Sequence, residues 1–217
     1  MIVHSLISTI ALMQSAAPDQ WLDQARNPAT QGPIYSYVMN YEEGEIKAAG
    51  RVDPSKRVGQ RIIVSSPPEE TWTDDFRSEI SSMEDDAADI WCAEFSEAIP
   101  VNAKLDRQDD TSATYSFKPV PDPDDKDDAK FMKHISGSVT IAKEDGAILH
   151  FSMTAPKPFK PVMIAKIQNF DLAATCARAP DGRTYIADMR INIKGKAMMQ
   201  KFEESMHQTI SDLVVVE

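Results

Sequence analysis

The feature that most constrains this chain is the alternation of apolar and polar residues in short segments that turn sequences separate. Residues 34–41 (IYSYVMNY) and 45–52 place an apolar or small side chain at every second position, on either side of a Glu-Glu-Gly turn at 42–44. This period is typical of half-buried β-strands, and short turns between such strands indicate antiparallel neighbours. The same pattern surrounds Glu144-Asp145-Gly146 and Pro180-Asp181-Gly182.

We therefore expect about nine to eleven strands in one antiparallel meander. A sheet with that many strands twists and tends to curl, so the predicted architecture is an open half-barrel. Segments with a strand-like pattern, from which these strands would form, also cover residues 61–65, 104–107, 113–118, 131–141, 147–153, 162–170, 172–178, 185–193, 196–202 and 206–216.

The period changes to that of a helix after the third strand. Ser66 is in the position of an N-cap, Pro67 in the first helical position, and apolar residues recur at helical spacing from Trp72 to Met83. A second helix is predicted over residues 87–98, and Pro100 ends it. The predicted fold class is α+β, with two helices inserted after the third strand that either cover one face of the sheet or plug its concave side.

Charge is unevenly distributed along the chain. The formal net charge is −11, which argues against broad binding to nucleic acid. Residues 69–97 contain eleven acidic residues and one arginine, whereas residues 129–202 contain twelve basic and five acidic residues. These segments are two solvated surfaces, or they pack against each other as an acidic helical lid over a basic sheet, or they present oppositely charged faces to partners.

The N-terminus resembles a secretory signal. Residues 2–13 (IVHSLISTIALM) are apolar, and small residues follow at 15–17. We predict a signal peptide at residues 1–16 and a single periplasmic or secreted domain at 17–217; the alternative is a buried N-terminal helix. The apolar segment is too short to span a bilayer, so no transmembrane span is expected.

Cys92 and Cys176 are the two cysteines of the chain. In an oxidising compartment they would join in a disulfide, and otherwise each would be a separate buried thiol. Neither has a neighbouring Cys or His at zinc-ligand spacing.

Motifs that would identify an enzyme are missing from the sequence. It contains no Gly-rich phosphate loop, no Gly-x-Ser-x-Gly and no His-Glu-x-x-His. A two-residue turn at Asp145-Gly146 would pair His150 with Ile141 and leave His134 distant, so a metal-binding histidine pair is not expected. The Asp-rich residues 122–128 lack the Gly and the distal Glu of an EF-hand loop. We expect no metal, no cofactor and no enzymatic activity; a hydrolase ranks third among the functions considered.

Methionine and tyrosine recur on the predicted strands. Met is adaptable and is common on apolar binding surfaces, although filling of the core explains it as well. The candidate ligand-binding residues of an apolar groove are Tyr35, Tyr37, Met39, Phe151, Met153, Met163 and Met189. Residues 156–161 (PKPFKP) form a stiff connector in which Phe159 lies between two lysines, a pattern that suits either a rigid loop or contact with a membrane surface.

Residues 130–153 (KFMKHISGSVTIAKEDGAILHFSM) form a strand, an Asp-Gly turn and a strand. Together with the predicted export signal and the helices after the third strand, this hairpin resembles the periplasmic lipoprotein-carrier (lipoprotein-localisation factor) superfamily over residues 34–216. The resemblance implies an open curled sheet with helices over an apolar cavity. It also implies a non-enzymatic carrier of lipid or lipoprotein acyl chains. The alternative function is a protein-interaction or envelope-maintenance module, whose partner is another envelope protein and which uses the acidic helices and the basic sheet.

Overall fold

The computed structural model describes residues 20–125 and 127–216 of the chain. The predicted signal peptide, residues 1–16, lies outside the described residues. The helices are α1 (Gln20–Arg26), α2 (Asp74–Asp85) and α3 (Asp128–Met132), with 3-10 helices at Glu69–Thr71 and Cys92–Ala98. The strands are β1 (Ile34–Glu43), β2 (Ile46–Val52), β3 (Ile62–Ser66), β4 (Lys104–Gln108), β5 (Ser112–Phe117), β6 (Ser136–Ala142), β7 (Ile148–Thr154), β8 (Phe159–Val162), β9 (Ala165–Arg178), β10 (Thr184–Ala197) and β11 (Gln200–Val216).

All eleven strands belong to one antiparallel sheet, as the alternation predicted. The strand order is β3-β2-β1-β11-β10-β9-β7-β6-β5-β4, and β8 pairs with β9 beside this path. No pairing joins β3 to β4 in the part of the chain that the structure describes, so the sheet is open. Because β3 and β4 lie at opposite edges, the connection between them has to cross the sheet, and it carries α2 and the 3-10 helix Cys92–Ala98.

Helix α2 packs on β1, β2 and β11. Its buried Phe76 and Ile80 join Tyr37 and Met39 in one apolar cluster, and burial of each such side chain stabilises the fold by about 1.5–3 kcal/mol. The Tyr37 hydroxyl donates to the Ala87 carbonyl at 2.8 Å just after the helix. The helix is therefore held by its buried face, while Asp74, Asp75 and Asp85 are exposed. Glu84 is the buried acidic residue of the helix, and its carboxylate accepts from the Arg61 and Ile62 N–H groups at 2.9 and 3.0 Å.

Helix α2 begins later than the sequence predicted. Ser66 pairs with Ala49 in the sheet as the last residue of β3, so it cannot cap a helix. The cap is Thr73, whose side chain accepts from the Phe76 N–H at 3.2 Å. Trp72 precedes the helix, and its indole N–H donates to the Pro67 carbonyl at 2.9 Å.

The second predicted helix is reduced to the 3-10 helix Cys92–Ala98. The residues before it cannot be helical, because their backbone pairs with the sheet: Trp91 forms a β-bridge with Tyr185, and the Ile90 carbonyl accepts from the Ile186 N–H at 2.8 Å. Cys92 then forms the predicted disulfide with Cys176 of β9, with a Cα–Cα distance of 6.3 Å.

Two further sequence predictions were wrong in detail around β6. Residues 131 and 132, predicted as the start of a strand, belong to α3, because Phe131 packs edge-on against Phe159 and Phe170 before β6 begins. A bulge in the β6–β7 hairpin pairs His150 with Thr140, not with Ile141. His134 precedes β6 and stacks on Phe159, so the two histidines are apart, as predicted.

Candidate binding cleft

The predicted groove residues do not line one open groove. Tyr37 and Met39 are buried beneath α2, and Tyr35 is buried against the Trp91 ring, at a centroid distance of 5.9 Å. Phe151 stacks on Phe95 at 4.4 Å in the core beneath the 3-10 helix.

The remaining three groove residues are methionines in different surroundings. Met153 and Met189 are half-buried against the same core as Phe151. Met163 is 94% exposed, in the turn between β8 and β9. A role of the seven residues in ligand binding stays a prediction, but most of them pack against protein.

A cleft of about 580 Å³ lies elsewhere, at the edge of the covered face. Four segments line it: α1 with the residues that follow it, the start of the 3-10 helix Cys92–Ala98, the β6–β7 turn and the β9–β10 turn. Trp91 and Ile148 contribute apolar surface, and Gln24, Glu94 and Arg183 contribute polar groups. The volume is in the range of sites that take one small organic ligand.

Arg183 fixes one wall of this cleft. Its Nε donates to Asp181 Oδ2 at 2.6 Å, and its terminal nitrogens donate to the carbonyls of Thr30 (3.3 Å) and Pro33 (2.6 Å). The guanidinium also lies 3.6 Å from the centre of the Trp91 ring. Because these contacts occupy one face and the edges of the group, Arg183 holds Trp91 and the segment after α1 in place rather than offering a free cation.

A second arginine holds the opposite turn. Arg178 makes a bidentate pair with Asp145, at 2.6 and 3.0 Å, and also donates to the Gly182 carbonyl at 2.9 Å. Hydrogen bonding to Arg178 holds the pKa of the Asp145 carboxyl below its usual range. The pair therefore joins the β6–β7 turn to the β9–β10 turn, so these two cleft walls are fixed relative to each other.

Glu94 is the lining residue of the cleft whose pKa is raised. Partial burial, followed by the negative charges of Asp89, Glu97 and Asp86, raises the pKa of its carboxyl from 4.5 to about 6. Glu94 makes no ion pair with another described residue. This side of the cleft is thus electronegative and able to accept hydrogen bonds.

Gln24 supplies an unused acceptor. Its Oε1 is buried and has no hydrogen-bond partner within the described part of the chain. Helix α1 approaches the β6–β7 turn so closely that a Cβ on Gly146 would lie 2.3 Å from Gln24 Cβ. A buried acceptor without a donor is costly. Because Oε1 is closed off from solvent, a ligand would donate to it and remove that penalty only after the Gln24 side chain turns towards the cleft.

Sequence reasoning missed the residues that build this cleft. The only signal for α1 was the spacing of Trp21, Leu22 and Ala25, which bury one side of a short helix. Nothing in the sequence indicated that Arg183 and Trp91, 92 positions apart, would stack. Their meeting depends on the bridge between residues 91 and 185.

Residues 20–125 and 127–216 contain no group of three or more His, Cys, Asp or Glu side chains that could hold a metal ion. None of the helices in the same ranges is long and apolar enough to cross a membrane. Comparison with protein-family models, curated proteins and solved structures found no match for this chain. The resemblance to lipoprotein carriers therefore stays a prediction.

Proposed function

We propose that this chain is a non-enzymatic extracytoplasmic binding or carrier protein, and that the cleft beside Trp91 binds one amphipathic ligand. The observation that supports this is a cleft of about 580 Å³ whose lining includes Gln24, a residue whose buried Oε1 has no hydrogen-bond partner among the described residues. The rigid walls support it further, since a preformed site loses little entropy when it binds.

The lining favours a particular ligand chemistry. Trp91, Ile148 and the alanines at 93 and 147 suit an apolar body, and an acyl chain is the body that the predicted lipid carrier would take. Gln24 and Glu94 suit a group that donates hydrogen bonds or carries positive charge. Arg183, which lines the cleft, and Arg178, which pairs with the lining residue Asp145, are both engaged by carboxylates, so neither is a free partner for an anionic head group.

The cellular compartment of the protein is also part of the proposal. The Cys92–Cys176 disulfide favours an oxidising compartment, and the predicted export signal makes the periplasm the proposed one. The disulfide also fixes the 3-10 helix that carries Ala93 and Glu94 to β9. Oxidation would accordingly stabilise one wall of the proposed site.

A protein-interaction module is the second candidate. Asp74, Asp75 and Asp85 of α2 are exposed and acidic, and residues 129–202 carry a net excess of lysine and arginine. Binding of an envelope protein through these charges would weaken with added salt, because exposed charges are screened. An affinity that does not change with ionic strength would contradict this candidate.

Isothermal titration calorimetry tests the cleft with n-decylamine and decanoate, which share a chain and differ in the charge of the head group. Below their micelle-forming concentrations, and at a pH above 7, we expect saturable binding of the amine with one site. The amine should bind about fivefold or more tightly than decanoate, because Glu94 and Glu97 favour a cation. Native mass spectrometry of protein purified from its own source without delipidation would then show whether a ligand of similar chemistry is retained.

Large side chains placed in the cleft provide the control. Ala93→Trp and, independently, Ala147→Trp fill the cavity and should abolish decylamine binding. Ala173→Trp introduces the same side chain at an exposed position of β9 and should leave binding unchanged. Absence of binding to the unmodified protein, or equal binding by folded Ala93→Trp protein, would contradict the proposal.

A further inference from the structure

Two hairpin ends lie side by side at one end of the long strands. The turn between β8 and β9 is Met163-Ile164, the turn between β10 and β11 is Met198-Met199, and the Met198 N–H donates to the Ile164 carbonyl at 3.0 Å. Met163 and Met199 are 94% and 97% exposed, and their neighbours in both turns are exposed as well. We call Val162, Met163, Ile164, Met198 and Met199 the apolar tip.

The second turn has side chains that its backbone disfavours. Met198 and Met199 have φ of 51° and 69°, the left-handed region in which two-residue hairpins normally place Asn and Gly. A polar or glycine turn would fit this backbone with less strain and would be more soluble. Two methionines in this turn therefore indicate that an exposed apolar surface is favoured at this end of the sheet.

The apolar tip stands on a small core of its own. Ile135, Phe159 and Ile167 are buried there, and Phe202 lies against Gly195, where a Cβ would come within 2.5 Å of the ring. Phe159, a sequence candidate for membrane contact, is part of this support and is 6% exposed. The tip is thus held by packed aromatic side chains beneath it.

Lysines surround the apolar tip. Residues 155–170 and 191–202 contain six lysines and no Asp or Glu, in a chain whose net charge is −11. One of the six, Lys194, is paired with Glu203 of β11 at 2.6 Å. Lys166 pairs with Lys196, and Lys196 pairs with Lys201, so three lysines lie in register across β9, β10 and β11, directly behind the turns. Cross-strand partners point to the same face at close range, and like charges placed this way repel each other. We call these three residues the lysine row.

We propose that the apolar tip and the lysine row dock this protein on an anionic membrane surface. The side chains of Met163 and Met199 would enter the boundary between head groups and acyl chains, and the lysine row would meet the lipid phosphates. The charge complementarity is direct, because an anionic surface relieves the repulsion among three aligned lysines.

Other occupants fit less well. A second copy docked tip to tip would bring two lysine rows together, which like charges oppose. Two adjacent turns also offer a narrow protruding end, and a stable protein interface needs roughly 1,000 Å² or more. A bilayer has no such requirement, because lipids rearrange around an inserted side chain.

Vesicle co-sedimentation of the full chain tests this docking. We expect binding to vesicles of phosphatidylglycerol and phosphatidylcholine in equal parts, little binding to pure phosphatidylcholine, and release as salt is raised. Met163→Ser with Met199→Ser should weaken binding at least about tenfold. Lys166→Gln with Lys196→Gln should weaken it about thirtyfold.

Matched controls are available elsewhere on the surface. Val101→Ser removes an exposed apolar side chain, and Lys47→Gln with Lys104→Gln removes two exposed lysines; neither change should affect vesicle binding. The tip variants should retain decylamine binding in the cleft, which separates this inference from the proposed function. Equal sedimentation with neutral and anionic vesicles, or a dimer that the tip substitutions dissociate while vesicles are not bound, would overturn the inference.

Discussion

Glu94 is the residue whose protonation links the cleft to pH. Its pKa is raised from 4.5 to about 6, so the folded protein holds this proton over a range in which the unfolded chain releases it. The corresponding stabilisation is complete below pH 4.5 and is lost as the pH rises through 6. Above pH 6 the carboxylate is charged and can attract a cationic ligand.

Replacement of Glu94 by Gln should remove this dependence. We expect the free energy of unfolding of Glu94→Gln protein to exceed that of the original by about 1 kcal/mol or less above pH 7, since solvent screens a partly exposed group. The difference should shrink as the pH falls from 6 towards 4.5. Urea unfolding at several pH values measures this, and Glu70→Gln, an exposed carboxyl in a 3-10 helix, is the control. A constant difference at every pH would contradict the role of Glu94.

At the scale of elements, α1 depends on a glycine in a neighbouring turn. Gly146 has φ of +74°, and any Cβ there would collide with Gln24 of α1. Gly44 also has a positive φ, +56°, but open space surrounds it. A side chain would therefore strain the backbone at both positions, but it would collide with a neighbour only at Gly146.

Substitution of alanine at the two glycines separates these effects. Gly44→Ala should cost about 1–2 kcal/mol of stability, from the left-handed backbone alone. Gly146→Ala should cost about 1–3 kcal/mol more, because α1 has to move away from the turn. Chemical unfolding measures both values, and tryptophan fluorescence should change only for Gly146→Ala, since Trp21 lies on α1. Equal costs would show that α1 is not seated against this turn.

The disulfide holds the 3-10 helix Cys92–Ala98 against β9. Cys92→Ala with Cys176→Ala should lower the free energy of unfolding by about 2–5 kcal/mol, because the bridge closes a long loop of the unfolded chain, with a sequence separation of 84. Reduction of the unmodified protein with dithiothreitol should lower stability by a similar amount and leave the double variant unaffected. Equal unfolding midpoints for oxidised and reduced protein would contradict this expectation.

Strands in which every second residue is buried could be predicted from the sequence. Elements whose conformation depends on one contact with a distant part of the chain could not. Strands such as β1 and β10 bury one face, so their period of two is visible in the residue pattern. The helix predicted at 87–98 had apolar spacing that suited a helix, yet pairing of residues 90–91 with β10 overrode that preference. The alternation also showed which strand residues are buried, but not whether a cavity or another element covers them.

At the scale of the whole molecule, the uneven charge along the chain reflects the connection across the sheet. The acidic residues 69–97 are the segment that runs over the covered face from β3 towards β4. The lysines of the basic segment concentrate behind the β8–β9 and β10–β11 turns, away from the electronegative side of the cleft. We therefore expect the two proposed activities to be separable, with ligand binding at the cleft and membrane contact at the apolar tip.

The indole N–H resonances of the three tryptophans test the central claim, that the cleft beside Trp91 binds an amphipathic ligand. Each tryptophan reports on a different place: Trp91 lines the cleft, Trp21 lies on α1, and Trp72 precedes α2. In a ¹⁵N-labelled sample titrated with n-decylamine, we predict a saturable shift of the Trp91 signal and of the Gln24 side-chain amide, with Trp72 unchanged. A titration that shifts Trp72 while Trp91 and Gln24 stay fixed, or that shifts none of these signals, would contradict the account.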